Sequence, residues 1–198
     1  MRYFLACLVA ALFVLGVSSV NAQQMYIGVG GGYAFDAFDQ DDVWAGYGAD
    51  PDELNGSWAV SVFFGYGINE KMAVQADFAY YFAFSPDEDA LEDLELSVWT
   101  LMGSVKYSFT PGATWSPYVI GGLGWGQFDT DGGLMIPDED GVLEDSLSGL
   151  VARVGGGVDY KINETLSVFA EVGYVFTFGD IEDWNFIDVR AGLGYSFK

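Results

Sequence analysis

Residues 57–68 read SWAVSVFFGYGI, and their character changes at nearly every step. Trp58, Val60, Val62, Phe64, Tyr66 and Ile68 fall on one face; Ala59, Ser61, Gly65 and Gly67 fall on the other, with Phe63 the exception. Residues 71–84 repeat the pattern, setting Met72, Val74, Ala76, Phe78, Tyr80, Phe82 and Phe84 against Lys71, Gln75, Asp77 and Tyr81. Residues 165–178 do so again, with Leu166, Val168, Ala170, Val172, Tyr174, Phe176 and Phe178 opposing Ser167, Glu171, Gly173 and Thr177. A helix would scatter these apolar side chains around its circumference. A strand, whose side chains alternate, gathers them on one face. The same period predicts eight strands, at about residues 24–35, 57–68, 71–84, 96–109, 117–128, 148–162, 165–178 and 186–197.

The connections alternate too. Asn69-Glu70 and Asn163-Glu164 are very short turns, and residues 110–116 hold a short one built on Pro111-Gly112. The other four are longer and acidic. Residues 36–56 carry seven Asp/Glu, 85–95 six, 129–147 seven and 179–185 three, and none of them carries Lys or Arg. Short turns at one end and long loops at the other predict an all-β fold, an eight-stranded antiparallel up-and-down barrel, with the arrangement of barrels that cross a bacterial outer membrane. Tilted strands of this length reach across a bilayer, and closure pairs every backbone polar group, as hydrocarbon requires.

Which face meets which solvent follows from the side chains. The polar face carries Asp77, Lys106, Arg153, Asp159, Glu171, Asp188 and Arg190, interleaved with Gly155, Gly157, Gly173, Gly192 and Gly194. The apolar face is nearly free of charge and dense in Trp, Tyr and Phe. A water-soluble barrel reverses this order, so the pattern predicts an apolar outside against lipid and a polar lumen. Trp58, Tyr107, Phe109, Tyr160, Tyr195 and Phe197 stand near strand ends, where interfacial girdles form.

Composition narrows the chemistry. Net charge is −22, which leaves no basic surface for nucleic acid. There is no His, hence none of the commonest general base or metal ligand. The one cysteine, Cys7, lies in an N-terminal apolar run, residues 3–17, that follows Arg2 and precedes Val20-Asn21-Ala22. That run is too short to span as a helix and reads as a signal peptide, residues 1–22, cleaved after Ala22. The barrel domain is then 23–198, exported and without a disulfide. No cofactor is expected.

Interior charges predict an ion-pair network of Asp77, Lys106, Arg153, Glu171 and Arg190, with Arg153 or Arg190 bridging Asp77 and Glu171, because eight strands leave a lumen that side chains fill. In the loops, Asp87, Glu88, Asp89 and Asp138, Glu139, Asp140 are weak candidates for Ca²⁺ or Mg²⁺; their spacing is not that of an EF-hand, and a solvated repulsive surface is the alternative. The chain also repeats itself at an offset of 94 residues: Tyr66-Gly67-Ile68-Asn69-Glu70 against Tyr160-Lys161-Ile162-Asn163-Glu164, continuing with Asp77 against Glu171. Duplication of a four-stranded unit and shared geometric demand both account for this.

Three features resemble the OmpA-like and opacity-type eight-stranded outer-membrane β-barrel family. They are Tyr107-Ser108-Phe109 with its Pro-Gly turn leading to Ser116-Pro117-Tyr118-Val119 and the Gly121–Gly126 run, the inward Glu171 beside Tyr174, and the C-terminus. There Arg190, Gly192, Tyr195 and Phe197 resemble the terminal signal read by the outer-membrane insertion machinery, although Lys198 follows the aromatic. The resemblance implies a non-enzymatic porin-family protein in the bacterial outer membrane, in contact with membrane lipid, lipopolysaccharide and the insertion machinery; divalent cations at the loops are a candidate partner from the carboxylates alone. Enzymes on such barrels generally lean on a His, which this chain lacks. A structural or surface-interaction role with a plugged lumen is the leading expectation. A narrow porin or a channel for small solutes or hydrophobic molecules is the alternative, and a soluble periplasmic ligand-binding barrel a third.

Overall fold

The computed structural model describes residues 24–37, 54–86, 95–131, 136–137, 143–144, 146–179, 181 and 184–197. Residues 1–22, expected from the sequence to be a signal peptide, and the six loop carboxylates at 87–89 and 138–140 lie outside the described residues.

Eight strands form the wall: β1 (Met25–Asp36), β2 (Ser57–Gly67), β3 (Met72–Pro86), β4 (Glu95–Ser108), β5 (Trp115–Asp131), β6 (Ser146–Lys161), β7 (Leu166–Phe178) and β8 (Phe186–Ser196). Three two-residue strands, Leu54–Asn55, Ile136–Pro137 and Leu143–Glu144, lie between them in sequence. Each long strand pairs antiparallel with its neighbours in sequence, and β1 pairs with β8 from Tyr26↔Ser196 to Asp36↔Phe186, so the sheet closes without an edge. The Phe197 N–H donates to the Met25 carbonyl at 2.8 Å and extends this seam by one residue. Closure matters because an open edge in hydrocarbon leaves a row of unpaired backbone groups.

Side chains alternate as the sequence pattern requires. The inner face of β2 is Ser57, Ala59, Ser61, Phe63 and Gly65; its outer face, Trp58, Val60, Val62 and Phe64, is exposed. Phe78, Val172 and Val189 face outward, while Arg153, Glu171 and Arg190 are buried in the lumen. The outer wall is an unbroken apolar belt that includes Val29, Leu101, Leu123, Val154 and Leu193, far more than a water-soluble monomer leaves exposed. The strands run from 11 to 17 residues, above the roughly 9–11 that a tilted strand needs to cross a bilayer.

Aromatic pairs mark the short-turn end of the belt. Tyr107 and Phe109 meet edge-on at 5.4 Å, Tyr195 and Phe197 at 5.2 Å, and Trp115 leans on Tyr160 at 4.7 Å. At the loop end Trp58 meets Tyr33 at 5.3 Å. Rings with one polar tip favour the headgroup level, so the two bands set the depth of the barrel in the membrane.

Two of the three turns are built alike. After β2, the Ile68 and Asn69 N–H groups donate to the Met72 carbonyl at 2.8 and 3.2 Å. After β6, Ile162 and Asn163 donate to the Leu166 carbonyl at 2.9 and 3.2 Å. In each, the Asn Oδ1 accepts two further backbone N–H groups, those of Lys71 and Met72 in one and of Thr165 and Leu166 in the other. The third turn reverses at Gly112, whose φ of 82° suits glycine.

Candidate functional site

The lumen is the site, and it is filled in three layers. In the middle layer, β8 points Arg190 and Asp188 inward, β7 Glu171, β6 Arg153 and β3 Asp77. Arg190 is bound on three sides: Nη1 lies 2.9 Å from Asp77 Oδ1, Nη2 2.9 Å from Glu171 Oε1, and Nε 2.9 Å from Asp188 Oδ2. The last is an ion-pair contact without an aligned hydrogen bond. Arg153 places Nη1 2.6 Å from Glu171 Oε1, while Nε and Nη2 donate to Asp188 Oδ1 at 3.1 and 3.0 Å. Two guanidinium groups thus hold three carboxylates. Their planar forks suit such bridging better than a lysine ammonium would. Gly173 makes room for the arrangement: a Cβ there would stand 2.6 Å from the Arg153 guanidinium and from Asp188 Oδ1.

The expected network is therefore split. Asp77, Arg153, Glu171 and Arg190 meet in one cluster, joined by Asp188, and Arg190 is the residue that touches both Asp77 and Glu171. Lys106 stands apart, toward the short-turn end. Its Nζ lies 2.7 Å from Asp159 Oδ2 and 3.7 Å from the centre of the Tyr118 ring. That pair is the wetter one, at 11% and 22% exposure.

Around Lys106 lies the second layer, part aromatic and part polar. Phe63, the exception to the alternation on β2, points inward and packs on Tyr26 at 6.0 Å and on Phe169 at 5.3 Å. Gly28 leaves the space that the Phe63 ring occupies. The Tyr26 hydroxyl donates to Gln75 Oε1 at 3.1 Å. Between this layer and the charged one, beside Ser61, Asp77 and Lys106, is a void of about 10 Å³, at the lower limit of what one water needs. Ser61 Oγ, buried beside it, has no hydrogen-bond partner among the described residues.

The third layer lies toward the loop end and is apolar. Tyr81, Val98, Met102, Phe128, Leu147, Val151, Val175 and Phe186 are buried together, joined by Ile181 and Trp184 from the β7–β8 connection. The Tyr81 ring packs edge-on to Phe186 at 4.9 Å, and its hydroxyl approaches Asp188 at 3.5 Å, where the apolar layer meets the charged one. Reading the polar face as continuous charge and glycine misses this layer. Its signal in the sequence is the apolar residues at inward positions near the loop end, such as Val98, Val151 and Val175, which break the polar alternation.

The residues of the C-terminal motif occupy the closing strand. Arg190 points into the lumen, Gly192 pairs with Gly30 across the seam, and Tyr195 and Phe197 face outward at the short-turn end.

Residues 5–197 match the Outer membrane protein beta-barrel domain family. No curated protein matches the chain in sequence. Among solved structures, Neisserial surface protein A (NspA) superposes with a TM-score of 0.66 at 15% identity, over 87% of this chain and 97% of that one. Ail, the attachment invasion locus protein of Yersinia pestis, solved in complex with the heparin analogue sucrose octasulfate, gives 0.57 at 18% identity, over 89% and 99%. The N-terminal β-barrel domain of Pseudomonas aeruginosa OprF gives 0.53 at 15% identity, over 89% and 98%. At these identities the likeness is one of fold.

Proposed function

The chain belongs to the outer-membrane protein β-barrel domain family and resides in the bacterial outer membrane; on that premise we propose that it is a non-enzymatic wall and surface protein whose lumen stays shut, and that its acidic loops meet the outside. The observation that carries this reading is the filled interior. Among the described residues, aromatic, charged and apolar layers succeed one another along the lumen, and a void of about 10 Å³ lies between the first two. Opening a path requires separating guanidinium groups from carboxylates out of bulk water, which is costly without new partners.

The surface chemistry follows from the sequence. The four long connections hold 23 of the 29 acidic residues and no Lys or Arg. A sulfated polyanion, the kind of ligand present in the Ail complex, meets repulsion here. Cationic partners, or divalent cations bridging to lipopolysaccharide phosphates, meet attraction. The leader at residues 1–22 and the terminal insertion signal at Arg190, Gly192, Tyr195 and Phe197 belong to the same proposal.

Planar-bilayer recordings of the refolded protein test the closed lumen. The expected result is a silent membrane at moderate voltage. Steady unitary current steps contradict it and favour the narrow-channel alternative.

A further inference from the structure

The β7–β8 connection, residues 179–185, reads in sequence as one more acidic loop, with Asp180, Glu182 and Asp183 around two apolar residues. Those two apolar residues are buried: Ile181 has no exposed surface and Trp184 keeps 8%. Gly179, with a φ of 79°, turns the chain out of β7 in a conformation that other residues rarely adopt. The Trp184 N–H then donates to the Ile181 carbonyl at 3.1 Å, closing a tight turn. Ile181 fills the space beside Gly149, where an added Cβ would come within 2.7 Å of Ile181 Cγ1. The Trp184 ring lies 5.6 Å from that of Phe128. Asn185 pins the base on both sides: its Oδ1 accepts the Thr177 N–H at 3.0 Å, and its carbonyl accepts the Ala37 N–H at 3.0 Å, beyond the end of β1.

We infer that Ile181 and Trp184 act as an intramolecular stopper, seated in the loop-end mouth so that an apolar layer seals the lumen from the outside medium separately from the Arg–carboxylate cluster below. The inference rests on the closed-lumen reading and deepens it. The two seals differ in kind. The cluster is held by charge, and rearranging it leaves buried ions without partners. The stopper is held by apolar contact and a few hydrogen bonds, those of Asn185 reaching Thr177 at the end of β7 and Ala37 after β1, so it opens locally while the wall stays intact. Neutralising the cluster therefore leaves the stopper in place.

Thiol accessibility tests this in the full chain with a Cys7→Ser background. Ile181→Cys is labelled by a membrane-impermeant maleimide in folded, micelle-bound protein, with Thr110→Cys, on an exposed short turn, as reference. Ile181→Cys is expected to react about tenfold or more slowly than Thr110→Cys, and Trp184→Ala to restore most of that rate, as for a segment protected only by local closure. Equal rates at the two cysteines overturn the stopper, and so does protection that Trp184→Ala leaves unchanged. Where Ile181→Cys fails to fold, shown by loss of the heat-dependent gel shift of an intact barrel, the fluorescence difference between the native chain and Trp184→Phe replaces it. Shielding of that difference from aqueous acrylamide supports the stopper; quenching as free as in urea overturns it. Bilayer recordings on the same samples separate the two readings. A silent barrel with a freely labelled Ile181→Cys sinks the stopper alone, and steady current sinks the closed lumen at any labelling rate.

Discussion

Arg190 touches Asp77, Glu171 and Asp188 at once, and removing it leaves three buried carboxylates to the single charge of Arg153. Arg190→Met is therefore expected to cost about 3–5 kcal/mol of folding stability, the range for breaking a buried ion pair from one side. Lys106→Met removes a partly hydrated pair and is expected to cost less, about 1.5–3 kcal/mol. Urea unfolding of the two variants in lipid vesicles checks the ranking; equal losses would contradict the division of the lumen into a dry cluster and a wetter pair. At this scale the sequence was legible where alternation alone decides, since it puts all these charges on one face. It was not legible for the partners. Lys106 shares that face but lies at the depth of Asp159, and depth depends on strand stagger, which no single strand encodes. Phe63 was visible as a break in the pattern, yet its role depends on the empty site at Gly28 on the neighbouring strand.

The hairpin turns belong to the scale of the element. Asn69 and Asn163, 94 residues apart, make the same pair of side-chain to backbone hydrogen bonds. Replacing either by Ala is expected to cost about 1 kcal/mol, the ordinary net worth of such bonds. The double variant is expected to show the sum, because sites without shared partners add; thermal or urea midpoints of the three variants check both statements. Asp77 and Glu171 stand at the same offset, and both bind Arg190. Duplication and shared geometry remain equally good accounts of the repeat. Strand existence and order were legible from period and turn residues. Strand ends were less so: β5 runs from Trp115 to Asp131, beyond the predicted 117–128. Pro117 and the acidic residues after Phe128 read as a boundary, but β4 and β6 continue alongside and supply the backbone partners that prolong the ladder. The 179–185 connection misled in the same way, because its acidic residues hid the two apolar ones that turn inward.

Over the whole molecule, charge and greasiness are sorted by region. The long loops hold nearly all the net charge of −22, and the remainder of the chain is close to neutral. Its interior carries paired ions, and its outer wall is apolar between two aromatic bands. Only a medium that is hydrocarbon around the wall and aqueous at both ends stabilises such a distribution. Consecutive residues of β7 offer the most direct check, because Val168, Val172 and Phe176 point outward while Phe169, Glu171 and Gly173 point inward. Nitroxide labels placed one at a time along residues 168–176, in protein reconstituted into lipid bilayers, report contact with dissolved oxygen, which concentrates in hydrocarbon. The account predicts a two-residue oscillation with maxima at 168, 170, 172, 174 and 176. Maxima at 169, 171 and 173, or no oscillation, would contradict it.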